Sequence, residues 1–297
     1  MNDKLCPVCL NSKSEPLGFK NHTPYALFRC LKCGLICLHP QPLDEDIYAL
    51  YPQEYEPFWP PLDEESSRWR RWSRRRHYML RCRALQLTKP NGGYALDAGC
   101  GTGGFAHQLA QIPGWRCAAL DITPSALAVA RRQLPGVLQN NSERMPFAAD
   151  TFDAVTLWEV LEHLPDPRAT LVEIHRILKT NGTLLLSTPN AESWQAKFWG
   201  PVWTGWEIPR HYHIFTIRSL DMLLQAVGFK RIRKFSLPMD HFYFVESMRR
   251  WIYTRADGVT QQKAVKIKLA GWFFWPLARL LDRTQISSAL VIEAKVI

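Results

Sequence analysis

A glycine-rich turn directly after a short apolar run constrains the fold of this 297-residue chain more than any other segment. The apolar run, residues 94–96, ends in an acid, Asp97, and the glycines of the turn follow: Gly99, Gly101, Gly103 and Gly104. Glycines let the backbone come close to a ligand, and a helix is expected to open near Gly103. The segment therefore predicts a strand, a ligand-binding loop and a helix in an α/β fold.

Charge indicates which ligand suits this turn. The spacing Gly99-x-Gly101-x-x-Gly104 also fits the dinucleotide fingerprint, but a pyrophosphate beside the Asp97 carboxylate would be repelled. S-adenosylmethionine instead presents an α-ammonium and a sulfonium. Asp121 follows the alternating run at residues 115–120, where a carboxylate can accept both ribose hydroxyls. The two acids favour the positively charged methyl donor over a dinucleotide.

Composition limits the architecture and the compartment. The length suits one α/β domain with a small appendage, and 46% hydrophobic residues suit a globular protein. No run reaches eighteen apolar residues, and the first residues lack a signal peptide's apolar core. We expect a cytoplasmic protein, with a peripheral membrane location left open. The formal charge of +10 favours an anionic partner, which nucleic acid, an acidic membrane surface or a phosphorylated carrier would satisfy.

Two cysteine pairs near the N-terminus predict a zinc ribbon over residues 1–40. Cys6-x2-Cys9 and Cys30-x2-Cys33 are separated by 20 residues, the spacing of a four-thiolate site. Such a closed site is structural, because it has no open coordination position. Cys37 lies close by, as does His39, but four cysteines already complete a tetrahedron. A redox-active thiol pair is the alternative.

Residues 41–90 read as a connector followed by a lid helix. The connector is rich in prolines and aromatics, which favours packing on the larger domain. Residues 68–83 then interleave tryptophans with eight arginines, namely Arg68, Arg70, Arg71, Arg74, Arg75, Arg76, Arg81 and Arg83. A helix here would lie on anionic lipid, bind phosphate groups or simply expose its charged face to water. Its position before the first strand favours a lid over the site.

From residue 94 the pattern alternates between strand and helix, which predicts a doubly wound parallel sheet. Strands are predicted at 94–97, 115–120, 136–139, 152–158, 182–187, 230–236 and 289–296. Helices are predicted at 103–111, 124–133, 167–179 and 217–227. Ligands bind at the carboxyl ends of such strands. The methyl-donor loop would therefore lie at one edge of the sheet.

The ordered motifs over residues 90–235 resemble class I S-adenosylmethionine-dependent methyltransferases. They are Leu-Asp-Ala-Gly-Cys-Gly-Thr-Gly, Ala-Leu-Asp at 119–121, Ser-Glu-Arg-Met-Pro-Phe at 142–147, Phe-Asp-Ala-Val at 152–155, Glu-Val-Leu-Glu-His at 159–163 and Ser-Thr-Pro-Asn at 187–190. The resemblance implies a Rossmann-like, seven-stranded sheet with an antiparallel last strand. It implies a cofactor site made of Asp97, Gly99, Gly101, Gly103, Asp121, Ile122, Asn141, Ser142, Met145 and Trp158. The cysteine-rich start further resembles zinc-knuckle methyltransferases of bacterial glycan and natural-product pathways.

Ligand-type side chains past the fourth strand form a candidate second metal site, and the alternative is an acid and histidine motif with no bound ion. Glu159, Glu162 and His163 lie within five residues, and His211 follows downstream. The set resembles the metal sites of ubiquinone-pathway O-methyltransferases and of small-RNA 2′-O-methyltransferases. Magnesium or another divalent ion held there would lower the pKa of an acceptor hydroxyl. Without an ion, His163 or His211 becomes the candidate general base.

We expect a methyltransferase domain over 91–297 that carries an aromatic and apolar insertion at about 237–288. Its apolar stretch, 269–281, is too short to span a bilayer and would rest in the membrane interface or pack on the sheet. The expected reaction is O-methylation of a glycan, a glycolipid or a related secondary metabolite. An RNA methyltransferase and a non-catalytic scaffold that retains the fold are the alternatives.

Overall fold

The computed structural model describes residues 5–18, 24–42, 60–141, 143–235, 237, 240–255 and 286–297. Most of the predicted connector, Ser142 and the apolar stretch at 269–281 lie outside these residues. In chain order the strands are β1 (Ser14–Pro16), β2 (Ala26–Cys30), β3 (Ile36–His39), β4 (Gly93–Ala98), β5 (Trp115–Asp121), β6 (Val137–Gln139), β7 (Phe152–Trp158), β8 (Leu178–Pro189), β9 (His213–Ile214), β10 (Phe229–Phe235) and β11 (Ala289–Val296).

The helices lie mostly between these strands. They are α1 (Arg68–Thr88), α2 (Gly104–Ala110), α3 (Pro124–Ala130), α4 (Pro167–Ile177), α5 (Trp194–Trp199), α6 (Ile217–Ala226) and α7 (Asp240–Arg255). Local chemistry fixes the start of α4, because the Asp166 carboxylate accepts hydrogen bonds from the Arg168 and Ala169 amides and Pro167 opens the helix.

Seven strands form the main sheet in the order β10-β11-β8-β7-β4-β5-β6. The pairs from β8 to β6 are parallel, whereas β11 is antiparallel to both of its neighbours. The central strands are nearly continuous buried apolar runs, as expected where helices cover both faces of a parallel sheet. The predicted Rossmann-like sheet is confirmed, including its antiparallel last strand.

A second, four-stranded sheet has the order β1-β2-β3-β9, and its last strand comes from the larger domain. Cys37 of β3 lies opposite His213 of β9. The guanidinium of Arg168 donates to the carbonyl oxygens of Pro7 and Val8. The Thr216 hydroxyl donates to the carbonyl oxygen of Cys33. The N-terminal segment is therefore hydrogen-bonded to the loop and helices that follow the carboxyl edge of the main sheet.

Helix α1 confirms the predicted arginine-rich helix and continues it to Thr88. The Ser67 hydroxyl caps its first turn by accepting from the Arg70 amide. Its C-terminal half packs on the sheet through Cys82 and Leu85. A Cβ at position 104 would lie 2.5 Å from the Tyr78 ring. Glycine at the start of α2 thus allows α1 to lie against the glycine loop.

Among the described helices, none combines the length and the apolar character needed to cross a bilayer.

Candidate active site

The glycine-rich turn after β4 has the conformation its sequence predicts. Gly99 and Gly101 have φ values of 78° and 53°, which residues with a side chain rarely adopt. A Cβ on Gly99 would lie 2.4 Å from Val160, whereas one on Gly101 would meet no atom within 4 Å. Gly103, with φ 80°, lies directly before α2. The loop therefore packs tightly on one side and faces open space on the other.

Asp121, the last residue of β5, holds this loop in place. One carboxylate oxygen accepts from the Gly101 amide at 2.8 Å, and the other accepts from the Thr123 amide at 2.8 Å. A carboxylate has about four acceptor positions. Asp121 can therefore keep both backbone bonds and still accept hydroxyl groups of a ligand.

Asp97 is the second acid at this edge of the sheet. It is 2% exposed, and the Thr156 hydroxyl donates to it at 2.8 Å. Burial raises the pKa of Asp97 to about 7, and the Asp121 carboxylate adds to this effect. Parallel β4 and β5 end side by side, so the two acids flank the glycine loop. A cation bound between them would favour the charged form of both.

Arg81 of α1 is a site residue that sequence reasoning did not single out among eight arginines. Its guanidinium lies 4.8 Å from the centroid of the Trp158 ring. Its Nε is buried and has no hydrogen-bond partner among the described residues. Burial lowers the pKa of Arg81, while the carboxylates of Glu159 and Asp97 oppose that shift. Its place on the same helical side as the buried Leu85 was the available signal.

The remaining predicted cofactor residues surround the loop less directly. Met145 is 3% exposed, and its amide donates to Glu173 at 2.8 Å. Trp158 packs edge-on against Phe105 at 5.5 Å. Asn141 is exposed and Ile122 follows Asp121 in the chain. A cofactor role for these residues stays a prediction.

A second cluster joins Glu162, His163 and His211, whose ligand-type atoms all lie within 4.8 Å of one another. The Nδ1 atoms of His163 and His211 lie 3.2 Å and 2.8 Å from the carbonyl oxygens of Arg210 and Gly205. Since a carbonyl only accepts, each Nδ1 carries a proton, and in the neutral form of the ring Nε2 holds the lone pair. This is the tautomer of a metal ligand or of a general base.

Glu162 is fully buried, and neither of its oxygens meets hydrogen-bond geometry with a described residue. Burial raises the pKa of Glu162 well above its ordinary value, and neighbouring Glu159 raises it further. The Thr188 hydroxyl favours the charged form but is outweighed. A buried carboxylate that lacks a hydrogen bond of good geometry is costly, and a cation would relieve it. The donor set thus fits a divalent ion.

Glu159, the fourth predicted ligand, is not among the residues whose ligand-type atoms all lie within 4.8 Å of one another, and its role as a ligand stays a prediction. It has a left-handed φ of 57°, and its carboxylate accepts from the Tyr243 hydroxyl at 2.7 Å. Glu207 is instead the acid beside the histidines, 3.5 Å from Nε2 of His211. Burial would raise the pKa of Glu207, but the imidazoles of His211 and His163 hold it below its usual value.

The four predicted zinc ligands also converge. The Sγ atoms of Cys6 and Cys33 lie 3.5 Å apart, as do those of Cys9 and Cys30, and all four lie within 4.8 Å of one another. Tetrahedral zinc holds thiolates at about 2.3 Å, which requires such short S–S separations. The hydrogen bond with Cys33 lowers the pKa of Cys6 to about 5. The geometry fits a four-thiolate metal site.

A cavity of about 670 Å³ lies at the end of β8, next to the small sheet. Trp206, the residue before Glu207, forms part of its wall. Three basic side chains and one acidic side chain line it among the described residues, namely Arg29, Lys197, Lys234 and Glu192. Its volume suits a small-molecule ligand, and its charge suits an anionic one.

Known proteins share this fold and these motifs. The family model described as Methyltransferase domain matches residues 68–234. A ubiquinone biosynthesis O-methyltransferase of Xanthomonas axonopodis pv. citri is 37% identical over 109 residues, which cover 34% of this chain and 45% of that protein. A demethylmenaquinone methyltransferase of Chlorobaculum parvum is 33% identical over 96 residues, 32% of this chain and 40% of that protein. The chain thus spans less than half the length of these curated relatives.

Solved structures agree on the architecture. The 1,6-didemethyltoxoflavin-N1-methyltransferase of Burkholderia thailandensis, solved with S-adenosylhomocysteine, has a TM-score of 0.52 and 17% identity, and covers 95% of this chain and 99% of that one. The family match spans more than half of the chain and includes the glycine loop, both acids and all three residues of the Glu162–His163–His211 cluster. The chain therefore belongs to the methyltransferase domain family and has the fold of S-adenosylmethionine-dependent methyltransferases.

Proposed function

We propose that this protein transfers the methyl group of S-adenosylmethionine to a hydroxyl. The observation that carries the proposal is the pair of acids, Asp97 and Asp121, at the two sides of an open glycine loop. Asp97 would bind the α-ammonium of the donor and Asp121 its ribose hydroxyls. Arg81, a cation without a partner for its buried Nε among the described residues, would receive the donor carboxylate.

The cluster of Glu162, His163 and His211 would supply the proton acceptor that methylation of a hydroxyl needs. A hydroxyl must lose its proton as the methyl group arrives, and Nε2 of His163 or His211 would take it, because the Nδ1 of each faces a carbonyl oxygen. In the alternative arrangement, Glu162, His163 and His211 would instead hold a divalent ion, which lowers the pKa of a bound hydroxyl. Alignment of the acceptor and exclusion of water would account for most of the remaining acceleration.

The acceptor proposed is a glycan or glycolipid that carries phosphate. The basic lining of the cavity beside Trp206 supports an anionic group on the acceptor. A phenolic quinone precursor is the second candidate, because the relatives named above act in ubiquinone and menaquinone pathways. The two acceptors differ in whether they need the basic side chains.

A screen with methyl-labelled donor tests the function. Extract fractions of lipid, polysaccharide, RNA and small molecules are offered to the full chain, and label is expected in a phosphate-bearing lipid or glycan fraction. Lys234→Gln is expected to raise KM for that fraction several-fold, whereas Lys230→Gln, at the opposite end of β10, is not. Label confined to phenols or RNA would contradict the acceptor class. No binding of S-adenosylhomocysteine by calorimetry would contradict the enzyme and favour a scaffold.

We also propose that Cys6, Cys9, Cys30 and Cys33 bind structural zinc. Ion binding would stabilise a segment that has few residues of its own for a core. Purified protein is expected to contain one zinc per chain by elemental analysis. Cys33→Ser is expected to lose it and to lower Tm by about 5 °C, as a loss of about 3 kcal/mol would in a chain of this size.

Cys37→Ser is the matched control, because Cys37 lies in the same sheet but outside the thiol cluster. It is expected to keep its zinc. Metal loss in Cys37→Ser, or full metal content in Cys33→Ser, would contradict the assigned ligand set.

A further inference from the structure

The N-terminal half of α1 presents a pair of tryptophans to solvent. Trp69 is 61% exposed and Trp72 is 49% exposed, and their rings stack with centroids 5.0 Å apart. Met79, on the same helix, is 44% exposed. Exposed large apolar groups in contact with one another mark interaction surfaces more often than isolated ones do. The Trp69–Trp72 pair is therefore a candidate contact surface.

Positive charge surrounds this pair. Six arginines of α1 are exposed, namely Arg68, Arg70, Arg71, Arg75, Arg76 and Arg83. Arg76 lies 5.6 Å from the centroid of the Trp72 ring. The acid nearest in sequence, Glu65, is buried and already paired with Arg70 and Arg74. The surface therefore complements an anionic partner.

We propose that the N-terminal half of α1 binds an anionic lipid surface, with Trp69 and Trp72 at headgroup depth. Tryptophan favours the membrane interface, and each basic side chain near an anionic leaflet contributes about 1 kcal/mol. A nucleic acid would favour a groove that tracks the phosphate backbone. Here the arginines surround a single convex helix from which the paired rings protrude. That shape suits a flat, soft surface better than a strand of RNA.

The same helix reaches the donor site at its other half. Tyr78 contacts the start of α2, and Arg81 lies over Trp158 near Asp97. From Trp72 to Arg81 the helix rises about 14 Å at 1.5 Å per residue. A membrane surface bound at Trp69 and Trp72 and the donor site near Arg81 would therefore be joined by one helix, which would hold a membrane-embedded acceptor on the same side of the protein as the donor. This consequence rests on the proposed function, whereas lipid binding itself does not.

Vesicle co-flotation of the full chain tests the proposal. Binding is expected to phosphatidylcholine vesicles that contain phosphatidylglycerol, and to be at least tenfold weaker to phosphatidylcholine alone. The double variant Trp69→Ala, Trp72→Ala is expected to lose at least tenfold in binding. Phe198→Ala removes an aromatic of similar exposure, 66%, from α5 and is expected to bind like the wild type.

A double variant that removes two positive charges distinguishes electrostatic attraction from insertion of the tryptophans. Arg68→Gln with Arg75→Gln is expected to weaken binding to the anionic vesicles several-fold, whereas Arg218→Gln, an exposed arginine on α6, is not. Each variant is first shown to bind S-adenosylhomocysteine, so that failure of the donor site is distinguished from failure of the lipid surface. No binding to anionic vesicles would overturn the proposal. So would Trp-dependent binding of an RNA oligonucleotide or Trp-dependent dimerisation in place of lipid binding.

Discussion

Asp97→Asn is expected to weaken S-adenosylhomocysteine binding about 100-fold, measured by titration calorimetry at pH 8. The change removes a buried carboxylate but keeps an oxygen that the Thr156 hydroxyl can reach. Hydrogen bonds to charged groups contribute about 1.5–3 kcal/mol, and the upper part of that range corresponds to this fold-change. The affinity loss therefore reports the ammonium contact rather than a change of shape.

The pH dependence should identify the same carboxylate. Burial raises the pKa of Asp97 from 3.8 to about 7 in the free protein. A protonated acid does not attract the ammonium, so wild-type affinity is expected to fall up to tenfold per pH unit below 7. Asp97→Asn is expected to show no such slope. An equal slope in the variant would assign the titration to another group.

As pH rises, the stability of the folded protein should fall while its affinity for the donor product rises. Because the folded pKa of Asp97 lies above the unfolded one, its ionisation opposes folding, and the wild type loses stability as pH rises from about 4 to 7. At pH 8, Asp97→Asn is therefore expected to raise the free energy of unfolding by at least about 1 kcal/mol. Asp153→Asn, at the amino end of β7, is the control and is expected to leave donor binding unchanged.

His211→Asn is expected to lower kcat at least about 100-fold, the range for loss of a general base. Asparagine keeps a donor for the Gly205 carbonyl but removes the Nε2 lone pair. Donor affinity is expected to stay within twofold of the wild type, since His211 lies outside the glycine loop. Activity is measured with the acceptor fraction that the labelling screen identifies.

His213→Asn is a closely matched control. His213 is also buried, and its Nδ1 also faces a carbonyl, that of Leu164 at 3.1 Å. It lies outside the Glu162–His163–His211 cluster. It is expected to keep kcat within a few-fold. Manganese titration gives a readout independent of turnover: binding that His211→Asn loses and His213→Asn keeps would support a divalent ion, and equal losses of kcat would contradict the assignment.

The sheet was predictable from sequence because its signals are local. Each central strand is an apolar run bounded by turn residues, and the Asp97–Gly104 segment fixes where the first βα unit begins. The strand predictions at residues 115–120 and 152–158 agree with β5 and β7 to within one residue. Helix α5 and the two-residue strand β9 were not predicted, since both are too short to show a period.

The parts of the site that directly follow a strand were predictable from sequence. The parts that form where distant segments of the chain meet were less so. His211 and His163 are 48 positions apart in sequence, yet the motif resemblance paired them correctly in space. Spacing grouped Glu159 with Glu162, but it did not predict that Glu159 has a left-handed φ and accepts a hydrogen bond from Tyr243 on α7. Glu207 needed the fold, because nothing local distinguishes it from its charged neighbours, whereas Arg81 had only its helical position relative to Leu85 as a signal.

The pairing of β3 with β9 links two distant parts of the chain through their backbones. The Leu38 amide donates to the Tyr212 carbonyl, and the Tyr212 amide donates to the Glu162 carbonyl. A shift of register by one residue at Cys37 would rotate Tyr212 and displace the imidazole beside it. The cysteine-rich segment therefore cannot be grafted, shuffled or trimmed as an independent module without disturbing the geometry of Glu162 and the two imidazoles beside it.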